Sequence, residues 1–219
     1  MSTAPNDAPL DIAALDRLWN FDDPAASEMR LRAAASEAGS AVIAAELTTQ
    51  VARALGLQDR FDQADALLDD LPAPAAAHPA VAVRVDLERG RLRNSAGSPA
   101  PAAVLFRRAL DAALAANLEF LAADAAHMLA IAEPDRAEDW TAQGLAIAEA
   151  SIDPRCRRWA GSLHNNLGWT RQDAGDLAGA LAEFEAALSA YRRHGTAEQV
   201  GFAQQAIEQC RAAMRDAEA

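Results

Sequence analysis

One interval recurs along this chain. Gly90, Ala102 and Phe106 are spaced as Gly168, Ala180 and Phe184 are, and Ala52, Ala64 and Leu68 keep the same spacing. A small residue, a second one three turns on, and a bulky apolar side chain one turn later describe two helices folded back on each other. The small residues stand where the partner helix comes close, and bulk there would push the pair apart. Repetition at a fixed interval predicts a stack of like pairs, each burying its apolar face on its neighbours.

Composition agrees with helices and with little else. Alanine supplies about a quarter of the 219 residues, hydrophobic residues make up 51% and aromatics only 5%. Alanine has the best helix propensity and little β preference, so a sheet of any size is not expected. A chain of this length buries roughly 70% of its extended surface, enough for a sizeable core.

The clearest copy, Gly161 to Leu188, reads GSLHNNLGWTRQDAGDLAGALAEFEAAL. Leu163, Leu167 and Thr170 form one stripe, and Leu177, Ala180, Leu181, Phe184 and Leu188 form the other. Through Asn166-Leu167-Gly168, Gly175-Asp176-Leu177, Ala180-Leu181, Phe184 and Ala187-Leu188 this segment resembles a tetratricopeptide repeat. It departs at His164 and Arg171, where that repeat carries an aromatic pair, and at Arg192, where it carries a closing proline.

The resemblance implies an all-α, right-handed superhelical solenoid of antiparallel helix pairs with a C-terminal capping helix. The expected organisation is a disordered tail over 1–9 and a single domain over 10–219. Within it fall a degenerate pair at 10–38, pairs at 40–71, 81–116, 118–151 and 154–194, and a capping helix at 197–216. In the 118–151 pair Ala126 is the close-approach residue, and Pro134 and Trp140 shift the second helix by about one residue. Asp23-Pro24 and Asp153-Pro154 read as helix starts, and Thr196 with Gln199 as a capping box. Pro72 to Ala80 reads as a linker.

In such solenoids the first helix of each pair lines a concave face. Aligning the copies on Ala52, Gly90, Ala126 and Gly168 puts Arg53, Arg91, His127 and Trp169 in one row. Thr49, Leu87, Ala123 and Asn165 form a second row, and Glu46, Arg84, Phe120 and Ser162 a third. The resemblance makes these the contact candidates, foremost Arg53, Arg84, Arg91, Phe120, His127, Asn165 and Trp169. Guanidinium forks suit carboxylates, and Trp169 or Phe120 suits an apolar anchor. The expected partner is another protein, engaged through an acidic or C-terminal segment. The alternative is that these arginines are solvated or paired with Glu46, Asp86 and Glu88. The carboxylate-clamp version of the repeat uses lysines, and this chain has none.

Other chemistry finds no support in the pattern. His78, His127, His164 and His194 are scattered, and there is no HExxH, nucleophile elbow or P-loop, so neither an enzyme nor a metal nor a cofactor is expected. Arg155, Arg157 and Arg158 read as an anion patch or a solvated face, and Trp159 as part of the Leu163 stripe. A net charge of −12 argues against nucleic acid, and no window is apolar enough for a membrane span. Cys156 and Cys210 lack metal or disulfide spacing, which fits a reducing cytoplasm. Two rival functions remain: self-assembly through Val200, Ile207 and Met214, or the sensing of a small ligand.

Overall fold

A computed structural model describes residue 10 and residues 12–218; the tail expected at 1–9 lies outside the described residues. The fold is all-α, with no strand among the described residues. In chain order the helices are α1 (Ile12–Leu18), α2 (Pro24–Ser36), α3 (Ala41–Gly56), α4 (Phe61–Asp69), α5 (Ala73–Ala76), α6 (Pro79–Ser95) and α7 (Pro99–Ala115). They continue as α8 (Glu119–Ala132), a 3₁₀ turn (Pro134–Arg136), α9 (Ala137–Ala150), α10 (Pro154–Asp173), α11 (Leu177–His194) and α12 (Ala197–Glu218). No described helix is long and apolar enough to cross a membrane. The chain divides between Ala116 and Asn117 into two compact units.

In the first unit α3 is the hub: α2, α4, α5 and α6 pack on it, and α7 packs on α6. Leu31, Val51, Ala52, Leu55, Ala64 and Leu68 bury one core there. Asp23 caps α2 by accepting from the Ala26 amide at 3.0 Å. The sequence interval has a direct steric meaning between α6 and α7. A Cβ on Gly90 would stand 2.3 Å from Cε1 of Phe106, so the ring edge occupies the volume of the missing side chain. The stretch expected as a linker is ordered instead. Alanine favours helix and proline is tolerated in a first turn, so residues 73–76 form α5, and Pro79 opens α6. Ala75 packs between Ala45 and Val81.

In the second unit α10 is the hub, contacted by α8, α9 and α11, and α12 packs on α11. The Gly168 and Phe184 contact repeats that of Gly90 and Phe106, with the ring at 2.5 Å from a would-be Cβ. Gly161 receives the Tyr191 ring in the same way at 2.3 Å, a contact outside the recurring interval. Ala206, Ile207 and Cys210 of α12 close over Ala180 and Phe184. Ile207 is thereby used within its own chain, as is Val200, which packs on the cluster of Ala187, Tyr191 and Ala203. The Thr196 capping box forms as its sequence specifies: the Gln199 amide donates to Thr196 Oγ1 at 3.2 Å, and the Thr196 amide to Gln199 Oε1 at 3.0 Å.

The intrapair turns explain the regular and irregular copies alike. Asp59, Gly97 and Gly175 each adopt positive φ, seven residues after Ala52, Gly90 and Gly168. At the corresponding place after Ala126 stands Glu133, with φ −126°, followed by the 3₁₀ turn that Pro134 opens. The buried face of α9 accordingly starts at Ala137, eleven residues after Ala126 instead of twelve.

Candidate partner-binding site

The three candidate arginines of the first unit are all engaged by their own chain. Arg84 is 7% exposed, and its Nε lies 3.0 Å from Glu46 Oε2. These two stand in the same row of adjacent pairs, so the alternative reading of a paired arginine describes Arg84. Arg91 Nη1 sits 2.6 Å from Glu88 Oε1 on its own helix. Arg53 lies over two rings, 5.9 Å from the centroid of Trp19 and 5.6 Å from that of Phe21, which stack on each other at 4.9 Å. Asp86 is taken by Arg108, whose pKa the Asp86 hydrogen bond raises against the opposing effect of burial. The charge that was to meet an acidic partner is therefore largely matched inside this unit.

The second unit assembles a different set. On α10 the residues Arg155, Trp159, Ser162 and Asn166 follow one another at spacings of four, three and four, and so share a stripe. Phe120 and His127 of α8 meet that stripe. The Trp159 ring lies 5.7 Å from Phe120 and 5.0 Å from His127, tilted to both. Arg155 places its guanidinium 4.5 Å from the Phe120 centroid, and Asn166 Nδ2 donates to His127 Nε2 at 2.8 Å. All of these side chains are partly exposed. Two polar atoms nearby have no partner: Trp159 Nε1 is buried without an acceptor, and Asn165 Oδ1 without a donor. An unpaired buried polar group of this kind costs about 1–3 kcal/mol.

The remaining candidates hold the unit together. Trp169 stands edge-on to Phe184 at 4.9 Å and joins the cluster closed by α12. Ser162 Oγ lies 3.1 Å from the Tyr191 hydroxyl. Burial raises the pKa of that phenol, partly offset by the Ser162 hydrogen bond and the Arg158 charge. Trp159 differs from its reading as a core residue: one turn before Leu163 on α10, it leans toward α8, with Arg155 and Asn166. The four-three-four spacing puts it on one face with Arg155 and Asn166 but does not say which helix that face meets.

A second polar pair lies elsewhere: His164 Nδ1 is 2.7 Å from Glu183 Oε2. Among the described residues, no group of three or more His, Cys, Asp or Glu side chains is placed to hold a metal ion. Both cysteines are buried free thiols, and burial raises the pKa of each.

No family model matches the chain, and no curated protein matches it. Solved structures do match, among them the crystal structure of BtubC (BKLC) from P. vanneervenii. It is 19% identical with a TM-score of 0.58, and 92% of each chain is covered. At that identity the likeness shows a shared helical fold.

Proposed function

We propose that this chain is a non-catalytic interaction module, a tetratricopeptide-like solenoid that binds a peptide or helix of another protein on the face of α8 and α10. The recurring glycine, alanine and phenylalanine contacts and the hub-like packing in each unit support the solenoid reading. The observation that carries the binding role is the convergence of Phe120, Trp159, His127 and Arg155 on one partly exposed face. Tryptophan and arginine are enriched at interface hot spots, the one as a broad apolar ring and the other as a planar cation that forms forked hydrogen bonds. The fitting partner carries an apolar anchor beside a carboxylate, the anchor for the Trp159 seam and the carboxylate for Arg155. Two free thiols suit a reducing cytoplasm.

A peptide library displayed to the full chain tests this reading. The selected peptides are expected to share an acidic residue next to an aromatic or aliphatic one. Trp159→Ala should weaken their binding by about tenfold or more, with helicity unchanged. Selected peptides that bind Trp159→Ala and Phe120→Ala as tightly as the native chain would place binding on another surface.

A further inference from the structure

The run Arg155, Arg157, Arg158 does not form one patch. Arg155 stacks on Phe120 of α8, and Arg158 acts on Tyr191. Arg157 instead faces a cavity of about 420 Å³ between α9, α10 and α11. His164 lines the same cavity from α10, and Arg193 and His194 enter it from the last turn of α11. Glu149 is the one carboxylate in the lining, and alanines of all three helices floor it.

Several other arginines of the chain are ion-paired. Arg84, Arg108, Arg171 and Arg211 are matched by Glu46, Asp86, Glu183 and Glu185. Arg157 donates only its Nε, to the Ser151 carbonyl at 2.6 Å, and meets no carboxylate among the described residues. Arg193 likewise makes no ion pair among them. His164 is oriented by its Nδ1 contact to Glu183, which leaves Nε2 for another partner. Two guanidiniums without ion pairs among the described residues face one cavity whose lining has a single carboxylate, Glu149, which leaves a surplus of positive charge on its wall. Guanidinium forks match planar carboxylates and phosphate oxygens alike. The volume falls within the span of small-ligand pockets, roughly 300–1,000 Å³, and its limited size with an alanine floor suits a small ligand with an apolar body.

We propose that the cavity between α9, α10 and α11 binds a small oxyanion, a carboxylate or a phosphate on a compact apolar body, held by Arg157 and Arg193. This site shares no residue with the α8 and α10 face and stands whether or not a peptide binds there.

Titration of the isotope-labelled full chain with inorganic phosphate and with succinate, followed by amide NMR against a sodium chloride reference, tests the proposal. Saturable shifts at residues 157–164 and 189–194 are expected from at least one of the two. Saturation by phosphate alone would assign a phosphate-bearing ligand, and saturation by succinate alone a carboxylate. Arg157→Gln and Arg193→Gln should each weaken that binding by about tenfold, whereas Arg215→Gln, a distant cation on α12, should not. Arg193 is exposed, so its variant keeps the fold even if loss of the Arg157 contact to Ser151 disturbs it. Shifts that never saturate and match those of chloride would overturn the proposal, as would saturable binding that Arg193→Gln leaves intact.

Discussion

A missing side chain does as much for this fold as any present one. Gly90 and Gly168 leave room for the rings of Phe106 and Phe184, which are fully buried. Gly90→Ala is therefore expected to destabilise the chain by about 1–3 kcal/mol in denaturant unfolding, the usual cost of overpacking. Gly201 is the control: it is helical, and a Cβ there meets nothing within 4 Å. Gly201→Ala should stabilise by about 0.5–1 kcal/mol, through helix propensity alone. Equal effects of the two substitutions would remove the steric meaning of the interval. These contacts were legible in the sequence because a ring in van der Waals contact with a helix backbone permits few residue types. The Glu46 and Arg84 pair was half legible, since the aligned rows set the two side by side. The meeting of Trp159 with Phe120 and His127 was not, because it depends on how α10 is rotated against α8, a quantity set by the packing of both on α9.

At the scale of elements, turn chemistry decides which copies are regular. Positive φ at Asp59, Gly97 and Gly175 closes three pairs alike, while Pro134 imposes a 3₁₀ turn on the fourth and moves the α9 register. The proline and the approximate shift were readable from the sequence. The ordering of α5 was not, because prolines flanking an alanine run signal a turn and a helix start equally well. Charge also ties elements together: Glu28 of α2 accepts from Arg32, from Gln58 at 3.1 Å and from Arg60 at 2.6 Å, the last two from the turn into α4. Burial alone would raise the Glu28 pKa. The hydrogen bonds of Arg32 and Gln58 and the charges of Arg60 and Arg32 outweigh it and hold the carboxyl below its ordinary value. A depressed carboxylate stabilises the fold fully above the ordinary glutamate value and ceases to do so as pH falls through its folded value. The melting temperature of Glu28→Gln should thus lie below that of the native chain at neutral pH, and the gap should close on acidification. A gap independent of pH would mean that Glu28 contributes only packing.

For the molecule as a whole, the acidic surplus does not translate into a surface without cations. The candidate arginines of the first unit, Arg53, Arg84 and Arg91, are matched by carboxylates or aromatic rings of that unit, whereas Arg157 and Arg193 of the second are placed against a carbonyl and an open cavity. The sequence rows treated all copies as equivalent, and the side-chain pairing distinguishes them. Long-range attraction of an acidic partner is then expected to be weak, with affinity residing in slow release from the Trp159 seam. The most direct measurement is hydrogen exchange on the full chain with and without a saturating selected peptide. Binding as described predicts slowed exchange concentrated in α8 and the first half of α10, abolished in Trp159→Ala. Protection confined to α3 and α6, or absent from α8 and α10 while the peptide is bound, would contradict it.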